Sequence, residues 1–265
     1  MNFLSKLTGA SRHNRSLLCV GLDPEPEKLP PGVGVLEFCR SIIESTYDLV
    51  CAYKPNAAFF EALGAEGWGT LKATIEAVPK NIPVILDAKR GDIGNTARAY
   101  ARATFEELGA SAVTVNPYMG YDSLEPFIEY KNKGIFVLCR TSNPGSADFQ
   151  SLECGGEPLY RSVARRVGEW NHHGNLGLVV GATQPEELKA IREAHPFLPI
   201  LIPGVGAQGG SLELAVRYGT DAAGELAIIS SSRQILYASS GADYVAAARR
   251  AAQALRDEMN RYRPV

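Results

Sequence analysis

Eight short apolar runs recur along the chain at intervals of about 20–40 residues, and this spacing limits the possible folds more than any other feature. Each run is continuously apolar, which is typical of parallel strands covered on both faces. The runs cover residues 17–22, 49–53, 84–86, 112–115, 135–138, 178–180, 200–202 and 227–229. Helix-like segments separate them, and we predict helices over residues 34–48, 68–77, 96–108, 159–170, 185–194 and 212–218.

Eight strands that alternate with helices predict an α/β protein with a (β/α)₈ TIM barrel. The length of 265 residues is typical of such a barrel, and no shift in composition divides the chain. We therefore expect one barrel domain over residues 1–265, with a C-terminal helix at about 242–261. An open doubly wound sheet is the main alternative. Residues 143–158 form the least regular segment, and we expect a long loop there after the fifth strand.

Three ionisable residues follow the third apolar run, which suggests a functional site. Asp87, Lys89 and Asp92 come directly after residues 84–86, and residues two apart on a strand face the same way. Charges crowded at a strand end cost desolvation energy and add nothing to a core. A solvated strand end with an incidental ion pair is the alternative.

Polar residues also follow most of the other predicted strands. A TIM barrel carries its active site at the carboxyl ends of its strands. This distribution therefore favours an enzyme over a barrel whose strand ends have only a structural role. The residues after the first, second, fourth, fifth and eighth runs are Asp23, Lys54, Asn56, Asn116, Tyr118, Arg140, Thr141, Ser142, Ser230, Ser232 and Arg233.

A glycine-rich segment after the seventh run, residues 203–210, matches the pattern GxGxxG. In a barrel, the loops after strands seven and eight commonly bind phosphate, and Arg233 can add a charged contact. We therefore favour a phosphate site. A dinucleotide site, with Glu225 as the ribose-binding acid, and a purely structural glycine turn remain as alternatives.

Charge and cysteine content exclude several classes of function. The net charge of −2 gives no overall attraction to nucleic acid or to an anionic membrane. The five cysteines form no CxxC pair, and Cys19, Cys51 and Cys139 lie in apolar runs, which favours buried thiols. The first residues lack the apolar core of a signal peptide, so we expect a cytoplasmic protein. No His, Cys or acidic residues show the spacing typical of metal ligands.

The charged motif resembles the signature of the orotidine 5′-phosphate decarboxylase family. Asp87-Ala-Lys89-Arg-Gly-Asp92-Ile-Gly-Asn95-Thr96 is similar to that family's DxKxxDIxNT pattern. Further similar motifs follow in the family's order: Gly21-Leu-Asp23, Tyr53-Lys54-Pro-Asn56, Thr141-Ser142-Asn-Pro-Gly145, Pro203-Gly-Val-Gly-Ala-Gln208-Gly and Ser232-Arg233. The resemblance covers almost the whole chain and is strongest to the longer bacterial subgroup.

This resemblance implies conversion of orotidine 5′-monophosphate to uridine 5′-monophosphate and CO₂, without a metal or an organic cofactor. It also implies a homodimer with shared active sites, in which Asp92 and Thr96 come from the partner subunit. The implied catalytic residues are Lys54, Asp87, Lys89 and Asp92, with Lys89 stabilising and protonating the C6 carbanion. The implied substrate-binding residues are Asp23 and Lys54 for the ribose, Ser142 for the pyrimidine, Gln208 and Arg233 for the phosphate, and Thr96.

Three alternatives to this activity remain from the sequence. The first is a metal-dependent sugar-phosphate decarboxylase or synthase on the same barrel. The second is Schiff-base chemistry by Lys89 or Lys54. The third is a barrel that binds nucleotide phosphate without catalysis, which would not require the complete charged array. Thr141 remains an alternative to Ser142 as the pyrimidine contact.

Overall fold

A computed structural model describes residues 1–206 and 209–264 of the protein. Its strands in chain order are β1 (Leu18–Leu22), β2 (Ala52–Pro55), β3 (Ile85–Arg90), β4 (Ala112–Val115), β5 (Gly134–Arg140), β6 (Glu153–Cys154), β7 (Glu157–Pro158), β8 (Leu176–Val180), β9 (Ile200–Ile202) and β10 (Ala227–Ser231). β6 and β7 form a small antiparallel hairpin, and the other eight described strands form one parallel sheet in the order β2-β1-β10-β9-β8-β5-β4-β3.

The two outermost strands of this order meet and complete a barrel. Parallel bridges join Tyr53 to Val84 and Asn56 to Asp87, so β2 lies beside β3. Each barrel strand overlaps one of the eight predicted apolar runs. The predicted (β/α)₈ barrel is therefore confirmed, and the open doubly wound sheet is wrong.

Helices cover the outside of the barrel. They are α1 (Phe3–His13), α2 (Val35–Thr46), α3 (Ala57–Glu61), α4 (Gly67–Glu76), α5 (Gly94–Arg102), α6 (Tyr121–Ile128), α7 (Leu159–Trp170), α8 (Pro185–Ala194), α9 (Leu212–Gly219), α10 (Arg233–Leu236) and α11 (Tyr244–Tyr262). The helix predicted over residues 96–108 begins earlier, as α5, and continues into a π-helical turn, Ala103–Glu107. None of the described helices combines the length and apolar character needed to cross a membrane.

The N-terminal helix α1, which the sequence analysis did not predict, closes the amino end of the barrel. The Asn2 side chain accepts a hydrogen bond from the Ser5 amide and begins the helix. Phe3 and Leu7, one helical turn apart, point into a cluster of inward-facing strand residues. The Phe3 ring packs edge-on against Phe136 of β5, with the ring centroids 5.6 Å apart. Apolar packing thus fills the amino end, while the carboxyl ends of the strands border a cavity.

The segment after β5 has more structure than the predicted irregular loop. It contains a 3₁₀ helix, Pro144–Asp148, followed by the β6–β7 hairpin. Arg140, buried at the end of β5, donates a hydrogen bond from Nη1 to the Ser146 hydroxyl in that 3₁₀ helix. This contact ties the segment to the barrel and brings it over the carboxyl ends of the strands.

Candidate active site

A cavity of about 580 Å³ lies at the carboxyl ends of the barrel strands. Its volume is within the range of small-molecule sites. Polar side chains on β1, β2, β3, β4 and the loops after β5 and β10 surround it. They include Asp23, Lys54, Asn56, Asp87, Lys89, Thr114, Thr141, Ser142, Asn143, Gln150, Ser232 and Arg233. The polar residues at the strand ends therefore lie around one cavity, as the sequence predicted.

Asp87 lies at the centre of a charged cluster on the cavity floor. Its Oδ2 accepts a hydrogen bond from Lys54 Nζ at 3.0 Å, and its Oδ1 accepts one from Lys89 Nζ at 2.7 Å. The Lys54 and Asp87 side chains are only 7% and 11% exposed, whereas Lys89 is half exposed and faces the cavity. Asp87 is therefore not part of a solvated strand end, which was the alternative considered from the sequence.

Electrostatics keeps Asp87 and Lys54 of this cluster charged. Burial alone would raise the pKa of Asp87, but the Lys54 and Lys89 ammonium groups outweigh it and hold that pKa well below its usual value. Burial alone would lower the pKa of Lys54, but the carboxylates of Asp87 and Asp23 raise it above its usual value. The cavity floor therefore presents fixed charges at neutral pH, and Lys89 points an ammonium group toward any ligand above it.

A distortion of β3 directs Lys89 toward Asp87. The pairing with β4 passes from Leu86–Val113 to Arg90–Val115, so three residues of β3 lie opposite the single residue Thr114. Within this bulge Lys89 has φ of +47°, a conformation that residues other than glycine rarely adopt. Such strain is concentrated at functional sites.

Asp23 presents a second acidic group at the end of β1. Its Oδ2 accepts a hydrogen bond from the Ser232 hydroxyl at 2.6 Å. Its Oδ1 is buried and has no hydrogen-bond partner among the described residues, so it is available to a donor in the cavity. Gly21 permits this arrangement, because a Cβ there would lie 1.8 Å from the Ser232 hydroxyl.

Gly204, at the start of the glycine-rich segment, and Arg233 border the cavity after β9 and β10. Gly204 and Gly206 have φ of +95° and +66°, which explains why glycine occupies both positions. Arg233, at the start of α10, is exposed and borders the cavity. Gln208, predicted as a phosphate ligand, lies outside the described residues.

Glu225 does not take part in this site. It precedes β10 at the amino end of the barrel and forms an ion pair with Arg12 of α1, with Oε1 2.7 Å from Nε. The dinucleotide interpretation, which needs this acid near the glycine-rich segment, is therefore wrong.

Thr141 and Ser142 both border the cavity after β5, but their surroundings differ. The Thr141 hydroxyl donates to Asn143 Oδ1 at 2.7 Å and accepts from Gln150 Nε2 at 2.9 Å, so it holds the loop together. Ser142 approaches Gly181 closely, where a Cβ would lie 2.7 Å from the Ser142 amide nitrogen. The choice of Ser142 over Thr141 as the pyrimidine contact stays a prediction.

Asp92 and Thr96 do not border the cavity of their own chain. Asp92 Oδ1 accepts a hydrogen bond from the Ile93 amide at 2.8 Å, and Thr96 is exposed on α5. Three large apolar side chains are also exposed: Ile93, which follows Asp92 in the sequence, and Tyr118 and Met119, in the loop after β4. The prediction that these two residues complete the site of a second subunit stays a prediction.

Thr114 is a site residue that the sequence analysis did not single out. Its hydroxyl is within hydrogen-bonding distance of Asp87 and of two amides of the β3 bulge. The signal was a lone hydroxyl residue inside an otherwise apolar strand. Within residues 1–206 and 209–264 no group of three or more His, Cys, Asp or Glu residues is arranged to hold a metal ion.

Comparison with known proteins gives consistent results along the whole chain. The family profile described as "Orotidine 5′-phosphate decarboxylase / HUMPS family" matches residues 16–251. The orotidine 5′-phosphate decarboxylase of Dehalococcoides mccartyi strain CBDB1 is 57% identical over 267 residues, covering 99% of each chain. That of Herpetosiphon aurantiacus is 55% identical over 259 residues, covering 95% of this chain and 96% of the relative.

A solved structure shows the same architecture. Leishmania donovani OMP decarboxylase superposes with a TM-score of 0.89 at 46% sequence identity, with 100% of both chains covered. The family profile matches more than half of the chain, and the curated relatives match nearly all of it. The protein therefore belongs to the orotidine 5′-phosphate decarboxylase / HUMPS family.

Proposed function

We propose that the protein decarboxylates orotidine 5′-monophosphate to uridine 5′-monophosphate and CO₂, the last step of UMP biosynthesis. The observation that carries this proposal is the Lys54–Asp87–Lys89 cluster, with its buried carboxylate and its two ammonium groups on the floor of the cavity. Binding of a phosphate ester alone would not need this array. A reaction that develops negative charge on carbon does need it.

Decarboxylation at C6 leaves an electron pair in the plane of the pyrimidine ring, where the π system cannot delocalise it. Lys89 supplies the counter-charge, and its Nζ donates a proton to C6 after the C6–carboxylate bond breaks. The electron pair of that bond forms the new C–H bond, and CO₂ leaves. Lys89 then recovers a proton from solvent, to which its half-exposed side chain has access. Asp87 orients the Lys89 ammonium group before the reaction begins.

The remaining predicted residues bind the substrate. Asp23 Oδ1, which has no partner among the described residues, accepts a hydrogen bond from a ribose hydroxyl. Lys54 donates a hydrogen bond to the ribose beside it. Ser142 contacts the pyrimidine edge, and Arg233 forms a charge-assisted contact with the phosphate. Gln208, in the same glycine-rich segment, is the second phosphate ligand of this proposal.

The active form that we propose for the enzyme is a homodimer with shared active sites. Asp92 and Thr96 of one subunit enter the cavity of the other, where Asp92 extends the charged array. The exposed Ile93, Tyr118 and Met119 support this arrangement, because apolar side chains beside polar groups are typical of subunit interfaces. We place the enzyme in the cytoplasm, since Cys19, Cys39, Cys51 and Cys139 are buried free thiols.

The test is an ultraviolet assay of orotidine 5′-monophosphate consumption by the purified protein in EDTA. Conversion to uridine 5′-monophosphate in the presence of the chelator supports the proposal and contradicts the metal-dependent sugar-phosphate alternative. A folded protein that leaves the substrate unchanged in EDTA overturns it. In that case Mg²⁺ with sugar phosphates tests the alternative, and borohydride trapping tests a Schiff base at Lys89 or Lys54.

A further inference from the structure

The Thr114 hydroxyl contacts the Asp87 carboxylate of the charged cluster and two backbone amides of the β3 bulge. Thr114 is on β4 and is 1% exposed. Its Oγ1 accepts hydrogen bonds from the amides of Ala88 and Lys89, each at 3.0 Å, and donates to Asp87 Oδ1 at 2.9 Å. A hydroxyl has one donor and two acceptor sites, and all three are used here.

The β3 bulge explains why a side chain is needed at this position. Three residues of β3 lie opposite Thr114, whereas a regular ladder would place one there. In this bulge the amides of Ala88 and Lys89 both donate to the Thr114 hydroxyl. A buried amide left without a hydrogen-bond partner destabilises the fold. The hydroxyl thus stabilises a backbone shape that normal strand pairing cannot.

The same hydroxyl fixes both partners of the Lys89–Asp87 ion pair. It bonds to the amide of Lys89, whose φ of +47° is strained for a lysine, and to the Asp87 oxygen that accepts from Lys89 Nζ. The backbone of the lysine and the carboxylate that orients its ammonium group are consequently held by one atom. If this atom is removed, Lys89 is free to relax to a negative φ, which would turn its side chain away from Asp87.

We propose that Thr114 is a positioning residue for catalysis, holding Lys89 and Asp87 in the geometry that the carbanion requires. This inference rests on the proposed decarboxylase function. Thr114 does not transfer a proton; it acts through Lys89. A purely structural hydroxyl would affect stability alone, whereas a positioning hydroxyl affects the chemical step and leaves binding of the nucleotide phosphate unchanged.

The experiment replaces Thr114 by Val, which keeps the shape and removes the hydroxyl, and by Ser, which keeps the hydroxyl. Thr220→Val is the matched control, because Thr220 is also buried but donates to Val216 O at the amino end of the barrel. For each protein, kcat and KM are measured with orotidine 5′-monophosphate, affinity with uridine 5′-monophosphate, and stability by thermal unfolding. Thr114→Ala, which leaves room for a water molecule at the two amides, replaces the Val variant if that variant does not fold.

We expect Thr114→Val to lower kcat about 10²-fold, the size of effect that a misplacement of about 1 Å can produce. Uridine 5′-monophosphate affinity should stay within about threefold of wild type, since its ribose and phosphate contacts lie elsewhere. Thr114→Ser should return kcat to within about tenfold of wild type, and Thr220→Val should lose stability without losing kcat.

Two results would overturn the inference. One is a folded Thr114→Val or Thr114→Ala protein with kcat within about threefold of wild type. The other is a loss of kcat that Thr114→Ser does not reverse. Either result leaves the decarboxylase proposal intact as long as the wild-type protein converts orotidine 5′-monophosphate. If the wild-type protein lacks that activity, the decarboxylase proposal is rejected instead. The φ of Lys89 in a structure of Thr114→Val then tests the positioning role without any assay of activity.

Discussion

Replacing Asp87 by Asn should destabilise the fold substantially, because it removes the counter-charge of a buried lysine. Lys54 Nζ lies 3.0 Å from Asp87 Oδ2, and the two side chains are 7% and 11% exposed. Coulomb's law with an effective dielectric constant of about 20 gives an attraction of about 5–6 kcal/mol at this distance. Removing one partner of a buried ion pair typically costs about 3–5 kcal/mol. We expect Asp87→Asn to lose that amount of unfolding free energy at pH 7, equivalent to about 10 °C in Tm.

The loss should depend on pH in a defined direction. The pKa of Asp87 is held below its usual value of 3.8, so its stabilising contribution is present above that pH and is lost as the pH falls through its native pKa. The difference between wild type and variant should therefore shrink in strong acid. Asp87 is the largest of the charges that raise the pKa of Lys54, so the native pKa of that lysine should fall from its wild-type value in the variant.

Urea unfolding followed by circular dichroism measures these free energies, at one protein concentration because an oligomer's stability depends on it. Asp48→Asn is the matched control, since Asp48 pairs with Arg249 at 2.7 Å but both side chains are more than 40% exposed. That exposed pair should contribute at most about 1 kcal/mol. The double variant Lys54→Met/Asp87→Asn, which removes both charges, should lose less than Asp87→Asn alone. An Asp87→Asn protein no less stable at pH 7 than Asp48→Asn would refute the reasoning.

Two further predictions concern activity. Lys89→Ala should lower kcat by about 10³-fold or more while uridine 5′-monophosphate still binds; near-normal turnover in the ultraviolet assay would reject Lys89 as the acid. Asp92→Ala and Lys89→Ala should each be inactive alone. If the two variants are mixed in equal amounts and their subunits exchange at random, half of the proposed dimers contain one subunit of each variant, and each of these has one complete site out of two. The mixture should therefore recover about a quarter of wild-type activity. Mixtures that remain inactive after mass spectrometry has verified subunit exchange would contradict a site shared between subunits.

The barrel and most of the charged cluster could be predicted because both depend on local sequence. Continuous apolar runs mark strands that are covered on both faces, and a polar residue that follows such a run must lie at a strand end. Since all parallel strands of a barrel end on one side, Asp23, Lys54, Asp87 and Lys89 could be expected to meet. The structure brings these four residues together around one cavity.

The features that were not predicted depend on contacts between distant segments. α1 is recognisable only once Phe3 and Leu7 have a barrel interior to fill, because its apolar face is short. The strained φ of Lys89 arises from a mismatch between β3 and β4, and neither strand shows this mismatch in its own sequence. Thr114 owes its importance to the same mismatch. The placement of Asp92 outside the cavity of its own chain likewise depends on the fold and not on its spacing from Asp87.

Both ends of the described chain emerge on the side of the barrel opposite the cavity. The Phe3 amide donates to Asn132 O just before β5 begins, and Arg263 Nε donates to Gly224 O just before β10 begins. A fusion partner, an affinity tag or a surface linker attached to either end would therefore extend from the closed end. Tethering the protein to a bead or an electrode in this way should leave the mouth of the cavity facing the solution.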